Sequence, residues 1–343
     1  MRYIQIDAVE PGQYLGKTIF NGNGTVMLAE GVQLTVFMIN TLRRIGVTML
    51  FIQDPGFADL KVEEALTEET KRNVMQRMGE TLEAFRSGRE LPMRSMSLSM
   101  DRLIEELLEK KEIMLQLTDI RTRDNEQYLH ALNVCTIAVL MGAQLELTHV
   151  QLKELAIGAL LHDAGKVEEG HDDEAEDMRK HHTWRGFELL KAKKHFSLLV
   201  AHVAFQHHET LDGEGVPRGL GGEQIHLYAK IVAVANTYDN LLNREGEDGR
   251  RLLPHEVTEH LMGMAGTKLD RELVIAFLRM ISIYPTGISV RLSTKETGVV
   301  VGQHRGLPGR PIVRVIQKRD DELEYREVDL ARHTTTFIEA VLS

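Results

Sequence analysis

The sequence predicts a mainly α protein with a small α+β module at its start and short strands at its end. Residues 1–56 alternate apolar and polar side chains in short runs that are separated by glycine turns. Residues 57–290 repeat apolar side chains at helical spacing, and residues 291–343 contain runs rich in valine and isoleucine. A chain of 343 residues is long enough for two or three such units.

The composition narrows the class of protein. Hydrophobic residues at 43% and charged residues at 27% are typical of a soluble globular chain. The net charge of −10 argues against binding to a nucleic-acid polymer. The single cysteine, Cys135, excludes a disulfide framework and fits a reducing cytosol. The richest apolar run, 134–143, is too short to cross a bilayer. We therefore expect a cytoplasmic protein without a signal peptide or a membrane span.

The first 56 residues predict an N-terminal module of strands around one helix. The alternating runs 3–6 and 25–28 predict strands. Residues 35–45 have helical spacing, and Gly46 is a typical helix stop. Residues 47–52 return to a strand pattern. No catalytic side chains cluster here, so we interpret the module as a sensory or packing unit.

Residues 57–118 predict connecting helices with a break at Ser87-Gly88 and Pro92. Their apolar rows, such as Leu103 with Leu107, could pack against a second copy of the chain, which predicts a homodimer. After residue 290 the runs 299–301 and 312–316 predict two or three short strands. The stretch Thr335 to Leu342 predicts a final short helix.

The residues between 119 and 290 carry almost all side chains of the metal-binding type. Glu126 and His130 stand four apart and project from one helix face, although such a pair alone is more often a surface contact. His162 and Asp163 end a helix whose other positions have core spacing. A buried, ionised Asp163 needs a partner or a metal to offset its desolvation. These residues are therefore candidates for a metal site.

Three further clusters follow along the chain. His181 and His182 come after the acidic stretch 172–177, where solvated histidines are the simpler interpretation. His207-His208-Glu209 leads into the loop 212–217, whose glycines can bring backbone amides close to a phosphate. Asn236 and Asp239 share one face of the helix predicted over 224–242.

Taken together, residues 119–290 resemble an HD-GYP domain, the all-helical branch of the HD superfamily that hydrolyses cyclic di-GMP. The resemblance rests on the order and spacing of five motifs: Glu126-x-x-x-His130, Leu160-Leu161-His162-Asp163-Ala164-Gly165-Lys166, His182-x-x-x-Gly186, His207-His208-Glu209-x-x-Asp212-Gly213-x-Gly215-x-Pro217, and the helix Ile231 to Leu241. The resemblance of residues 1–56 to the small module found ahead of such domains is weaker.

The resemblance implies a centre of two or three divalent ions, iron or manganese, although imidazole and carboxylate ligands also permit zinc. It assigns metal ligation to Glu126, His130, His162, Asp163, His182, His207, His208 and Asn236. Asp163 would bridge two ions, and Glu126 would supply the carboxylate of a third. It assigns catalysis to Lys166, Asp163 and Asp239, and substrate binding to Lys166, Gly213, Gly215, Val216 and Pro217.

Three departures from the family pattern bear on activity. Val216 replaces the tyrosine of the Gly-Tyr-Pro signature, which removes a phenol from the pocket. Asn236 replaces a ligand aspartate, and a neutral amide oxygen is a weaker ligand. The segment 243–251 lacks the basic and aromatic character that the family has there.

The first hypothesis is a metal-dependent phosphodiesterase that opens cyclic di-GMP to linear pGpG and further to GMP. The second is a protein of the same fold that binds a cyclic dinucleotide or a protein partner with weakened catalysis. The third is an HD-superfamily phosphohydrolase that acts on another nucleotide. The residues alone leave these three open.

Overall fold

The computed structural model describes residues 1–60, 62–111, 113–167, 173–174, 176–244, 252–319 and 322–342. Most of the segment 243–251, which departs from the family pattern, and part of the acidic stretch 172–177 lie outside these ranges. Within them, no helix is long and apolar enough to cross a membrane. The described elements form a helical body flanked by an N-terminal module and a C-terminal sheet.

The N-terminal module contains a three-stranded antiparallel sheet, a hairpin and one helix. Its elements are β1 (Arg2–Gln5), β2 (Tyr14–Leu15), β3 (Ile19–Phe20), β4 (Val26–Leu28), α1 (Val36–Arg44) and β5 (Met49–Gln53). The strand order is β1-β5-β2, with β3 and β4 paired separately. The Thr35 hydroxyl accepts from the Met38 amide, and Gly46 at φ +93° ends the helix as predicted.

Two connecting helices follow, α2 (Glu68–Ser87) and α3 (Met93–Glu109). The predicted break is confirmed, because Gly88 closes α2 in the left-handed region and Pro92 precedes α3. Leu103 and Leu107 are fully buried in the core that α2 and α3 share with the helices after them. These apolar rows are thus already covered within the chain, and pairing with a second copy stays a prediction without that support.

The helical body is built around α4 (Glu126–Gln144). This helix packs against α2, α3, α5 (His149–Leu160), α8 (Leu227–Asn243) and α10 (Arg271–Met280). The other helices of the body are α6 (His182–Lys191), α7 (Leu198–Gln206) and α9 (Pro254–Met264). Nearly every residue of α4 from Leu129 to Gly142 is buried, as expected for a helix that is apolar all round.

The C-terminal residues form a five-stranded antiparallel sheet in the order β10-β6-β7-β8-β9. The strands are β6 (Ser289–Leu292), β7 (Thr297–Gly302), β8 (Ile312–Arg319), β9 (Glu322–Asp329) and β10 (Ile338–Leu342). The helix predicted over Thr335 to Leu342 is wrong. The backbone of this segment pairs with β6, and Ile338 and Val341 pack against the core of the sheet. Eight residues are too few for a helix that is not held by packing.

Candidate metal centre

Two histidines of the site lie just past the ends of helices. The Nδ1 atom of His162 lies 2.7 Å from the Ala159 carbonyl oxygen at the end of α5. The Nδ1 atom of His207 lies 2.9 Å from the Ala204 carbonyl oxygen at the end of α7. The last carbonyls of a helix have no partner within the helix, so each accepts a hydrogen bond from the imidazole. Both rings therefore carry hydrogen on Nδ1 and present the Nε2 lone pair to the interior.

Two other histidines are oriented by carboxylates. His130 Nδ1 lies 2.6 Å from Asp239 Oδ2, and His182 Nδ1 lies 2.7 Å from Asp173 Oδ1. A carboxylate behind an imidazole fixes its ring orientation and leaves Nε2 free, an arrangement common behind metal ligands. The site thus collects four Nε2 lone pairs that point inward.

The carboxylate of Asp163 lies between two groups of potential ligands. Its Oδ2 atom is 3.5 Å from His162 Nε2 and 3.8 Å from His130 Nε2. Its Oδ1 atom is 3.3 Å from His182 Nε2 and 3.6 Å from His207 Nε2. His208 completes the second group, since its ligand atom lies within 4.8 Å of those of His182 and His207. One carboxylate therefore faces a ligand group with each of its oxygens.

The spacing of the ligand atoms suits a shared cation better than it suits direct hydrogen bonds between the ligands. Asp163 Oδ1 is buried without a hydrogen-bond donor among the described residues. The Nε2 atoms are 3.2 Å apart in the His130–His162 pair and 3.3 Å apart in the His182–His207 pair. Two imidazole nitrogens that share one cation at about 2.0–2.1 Å lie roughly 3.0–3.4 Å apart for angles of about 90–110°. These clusters can therefore hold metal ions.

Burial keeps the imidazoles of His162, His182, His207 and His208 neutral. It lowers the pKa of His162 and His182 to about 4, and that of His207 and His208 to about 3. A neutral imidazole is the form that ligates a metal. The four histidines are therefore ready to ligate at neutral pH without first losing a proton.

The structure places the other predicted site residues less uniformly. Lys166 Nζ donates to Asp163 Oδ2 at 2.7 Å, and its side chain is 45% exposed. Glu126 is exposed in the first turn of α4 and belongs to neither ligand group among the described residues. Asn236 is buried, and its Oδ1 atom accepts from Asn240 Nδ2 at 2.9 Å. The ligand roles of Glu126 and Asn236 stay predictions.

Asp239 is fully buried on α8 and does not belong to either ligand group of the described residues. Its two oxygens instead contact Arg121, Asn133 and His130. In this structure Asp239 orients a potential ligand, and the catalytic role predicted for it stays a prediction.

The glycine loop after His208 is tied together from within. Its Gly213 amide donates to the Thr210 carbonyl, and its Val216 amide donates to the His208 carbonyl at 3.1 Å. A Cβ at Gly215 would lie 2.4 Å from the Thr210 amide nitrogen, so only glycine fits there. Two of the backbone amides expected to reach a phosphate are thus used by the loop itself. Substrate binding by Gly213, Gly215, Val216 and Pro217 stays a prediction.

Sequence reasoning missed Arg121 and Asp173, the partners of Asp239 and His182. A buried Asp239 called for a cation, but the motif pattern contains none near it in sequence, and Arg121 is 118 positions away. Asp173 stands within the acidic stretch that had favoured a solvated interpretation. Neither residue belongs to a motif, so no local signal distinguished it from its neighbours.

Comparison with known proteins agrees with this geometry. Residues 102–273 match the family described as HD domain, and residues 289–343 match the one described as KOW domain associated with HD domain. A cyclic di-GMP phosphodiesterase of Pseudomonas aeruginosa is 32% identical over 216 residues, which is 60% of this chain and 51% of that protein. One of Thermotoga maritima is 30% identical over 186 residues, 51% of this chain and 49% of that protein.

A solved structure, an HDG"Y"P protein from Bdellovibrio bacteriovorus, aligns at a TM-score of 0.47 with 16% identity, covering 80% of this chain and 97% of that one. The chain spans about half the length of the first curated relatives it matches. The HD domain match covers half of this chain and contains both ligand groups. The chain therefore belongs to the HD domain family.

Proposed function

We propose that this protein is a metal-dependent phosphodiesterase that hydrolyses cyclic di-GMP, or a related cyclic dinucleotide, to the linear product and further to the mononucleotide. The observation that carries the proposal is the Asp163 carboxylate, whose two oxygens face the His130–His162 pair and the His182–His207 pair. Two of the relatives that this chain matches, at 32% and 30% identity, bear the name cyclic di-GMP phosphodiesterase.

The residues of this chain would hold two ions, with His130 and His162 on one side of Asp163 and with His182, His207 and His208 on the other. Iron and manganese both suit imidazole and carboxylate ligands. Divalent cations supply Lewis acidity to a phosphoryl oxygen and lower the pKa of a water molecule toward neutrality.

Lys166 would complete the charge balance on the substrate side. Its ammonium lies beside the bridging carboxylate, and nearly half of its side chain is accessible to solvent. A phosphate that enters from the open side would meet this cation next to the ions. Fixed positive charge of this kind stabilises the negative charge that builds on phosphoryl oxygens during hydrolysis. Such a site also explains how a chain of net charge −10 could attract an anion.

The test is hydrolysis by protein purified without oxygen and loaded with Mn²⁺ or Fe²⁺. Chromatography of cyclic di-GMP reactions should show the linear dinucleotide and then GMP. His207→Ala should lower kcat/KM by more than about 100-fold, beyond the 10–100-fold that a change behind a ligand costs. The exposed His333 provides a matched control, since His333→Ala removes an imidazole outside the site. Absence of turnover in protein that demonstrably contains two bound ions of Mn²⁺ or Fe²⁺ would contradict the proposal.

A weakened, substrate-binding form of the same domain is the second candidate. Asn236 favours it, because its Oδ1 atom already accepts from Asn240 and a neutral amide ligates weakly. Restoring the acid with Asn236→Asp should then raise both the metal content and the rate of hydrolysis. Unchanged metal content and rate would show that this position does not limit activity.

A further inference from the structure

The buried carboxylate of Asp239 has its orientation determined from two sides. Its Oδ1 atom accepts from the Arg121 guanidinium and, at 2.9 Å, from Asn133 Nδ2. Its Oδ2 atom lies 2.6 Å from His130 Nδ1. Because Oδ1 is held by two donors, Oδ2 can point in only one direction, which is toward the His130 ring.

The orientation of the His130 ring determines the position of its Nε2 atom, which is the potential metal ligand. His130 Nε2 is 3.2 Å from His162 Nε2 and 3.8 Å from Asp163 Oδ2, on the far side of the ring from Asp239. A binding constellation needs its atoms within about 0.5 Å of the productive geometry. Turning the ring over about its Cβ–Cγ bond would move Nε2 by more than this and put a carbon atom in its place. The contact at Nδ1 is therefore what keeps His130 in the first ligand group.

Arg121 itself lies on an irregular segment, residues 118–125, that the N-terminal module holds. Lys17 donates to Thr118 Oγ1 at 3.1 Å, and the Arg123 amide donates to the Ile45 carbonyl at 2.9 Å. The Gly22 amide donates to Asp124 Oδ2 at 2.7 Å. Ile120 is buried in the core of the module, and Asn125 donates to the Phe20 carbonyl at 2.7 Å. The segment thus contacts the module at five of its eight positions, including both ends.

On another side the same segment borders open space. A cavity of about 620 Å³ is lined by Gln5 and Thr48 of the module, by Asp119 and Arg121 of the segment, and by Leu242 at the end of α8. Side chains next to a cavity lose the packing that would restrain them there. The contacts that the neighbours of Arg121 make with the module therefore fix the backbone from which the Arg121 side chain reaches Asp239.

We infer that Arg121 is a positioning residue for the metal ligand His130, acting through Asp239, and that the N-terminal module sets the place of Arg121. This inference rests on the proposed metal centre and goes beyond the proposed hydrolysis. It gives the module a task at the site: a shift of the segment 118–125 would change how tightly the His130 side of the centre holds its ion.

The first test compares Arg121→Met, Arg121→Lys and Arg123→Met by titration with Mn²⁺ alone, following free Mn²⁺ by electron paramagnetic resonance. Arg121→Met should weaken one Mn²⁺ site by about 10–100-fold, the usual effect of losing a group behind a ligand. Arg121→Lys should recover part of the affinity, since Arg121 contacts Asp239 through a single nitrogen. The exposed Arg123 lies on the same segment, so Arg123→Met should bind as the wild type does.

The second test displaces the segment from the module. A Cβ at Gly22 would lie 2.7 Å from the Asp124 carbonyl oxygen and 2.9 Å from the Tyr128 ring, so Gly22→Ala should push the start of α4 away. We expect it to weaken the same Mn²⁺ site as Arg121→Met. Gly263→Ala is the matched control, because a Cβ there meets nothing within 4 Å.

Circular dichroism and thermal unfolding without metal separate positioning from a general loss of structure. Wild-type Mn²⁺ affinity in a folded Arg121→Met protein would overturn the inference, even if its unfolding temperature falls. If Arg121→Met does not fold, Gly22→Ala decides in the same way, because wild-type Mn²⁺ affinity in a folded Gly22→Ala protein would overturn the inference. Tight Mn²⁺ binding by the wild type without hydrolysis of any cyclic dinucleotide would end the proposed function and leave this inference standing.

Discussion

Replacing Asp163 by asparagine should remove one of two bound ions. The carboxylate offers one oxygen to each ligand group, whereas an amide offers one oxygen and one NH₂ group. The NH₂ group cannot ligate, and it would face a pair of imidazole lone pairs wherever the amide is turned. One group therefore loses the anionic ligand that it shares with the other.

The size of the effect follows from linkage. At free Mn²⁺ about 100-fold above its dissociation constant, each bound ion adds about 2.7 kcal/mol to the free energy of unfolding. Unfolding of 343 residues has an entropy of roughly 0.7 kcal/mol/K, so each kcal/mol moves the midpoint by about 1.4 °C. Wild-type protein should gain about 7–8 °C with Mn²⁺, and Asp163→Asn about 4 °C. The metal-free midpoints should be similar, because the Lys166 partner is 45% exposed and such pairs contribute little.

The assay is differential scanning calorimetry of chelator-treated protein with and without Mn²⁺, together with elemental analysis of the bound metal. Asp101→Asn serves as the control, since Asp101 pairs with Lys153 between α3 and α5 and belongs to neither ligand group. It should retain the full metal-induced shift. Two bound ions and an undiminished shift in Asp163→Asn would refute the bridging role of this carboxylate.

Three further outcomes are expected. Gly165→Ala should destabilise the metal-free protein to urea by about 1–3 kcal/mol, because its Cβ would lie 2.0 Å from a backbone carbonyl of α6. Glu209→Gln should speed hydrogen exchange just after the glycine loop, since the buried Glu209 carboxylate accepts from the amides of Arg218 and Leu220 and an amide oxygen can replace only one of these two acceptors. Burial alone would raise the pKa of Glu64, but Lys71 and Lys17 lower it to about 2. The ionised Glu64 carboxylate therefore adds to the free energy of unfolding above about pH 4.5, and this contribution is lost as the pH falls toward 2. Glu64→Gln should flatten the pH dependence of the unfolding free energy across that window.

Each of the three variants has a control with the same type of substitution at another position. Gly263→Ala adds the same methyl group to open space and should leave urea unfolding unchanged. The exposed Glu223 and Glu63 allow Glu223→Gln and Glu63→Gln to be compared with Glu209→Gln and Glu64→Gln. Equal effects in a variant and its control would show that the stated contact is not the cause. For Glu64, an unflattened profile between pH 4.5 and 2 would contradict the depressed pKa.

Much of the secondary structure could be predicted where local chemistry decides it. The helix α1 begins after Thr35 and ends before Gly46 because a hydroxyl cap and a left-handed glycine act over a few residues. The strand β10 could not be predicted in this way. Its conformation depends on hydrogen bonds to β6, which lies 46 residues earlier in the chain, measured between Leu292 and Ile338.

In the candidate site too, local patterns predicted some features and distant contacts determined the others. The motifs predicted that His130, His162, His182 and His207 would meet around Asp163, and the structure brings them together. The motifs did not predict the residues that orient the ligands through hydrogen bonds. Arg121 and Asp173 act through single contacts between distant segments, and such contacts leave no periodic pattern in a sequence.

By itself the sequence determined which atoms are available for chemistry and on which helix ends they lie, because both depend on residue type and short spacing. Only the tertiary structure decided which nitrogen of His130 and His182 faces inward. That choice is made by the carboxylates of Asp239 and Asp173 behind the rings, whereas in His162 and His207 it is made by a carbonyl of the helix that precedes each ring. The residue type fixes which functional group a side chain carries, but the contacts around the side chain fix the direction in which that group points.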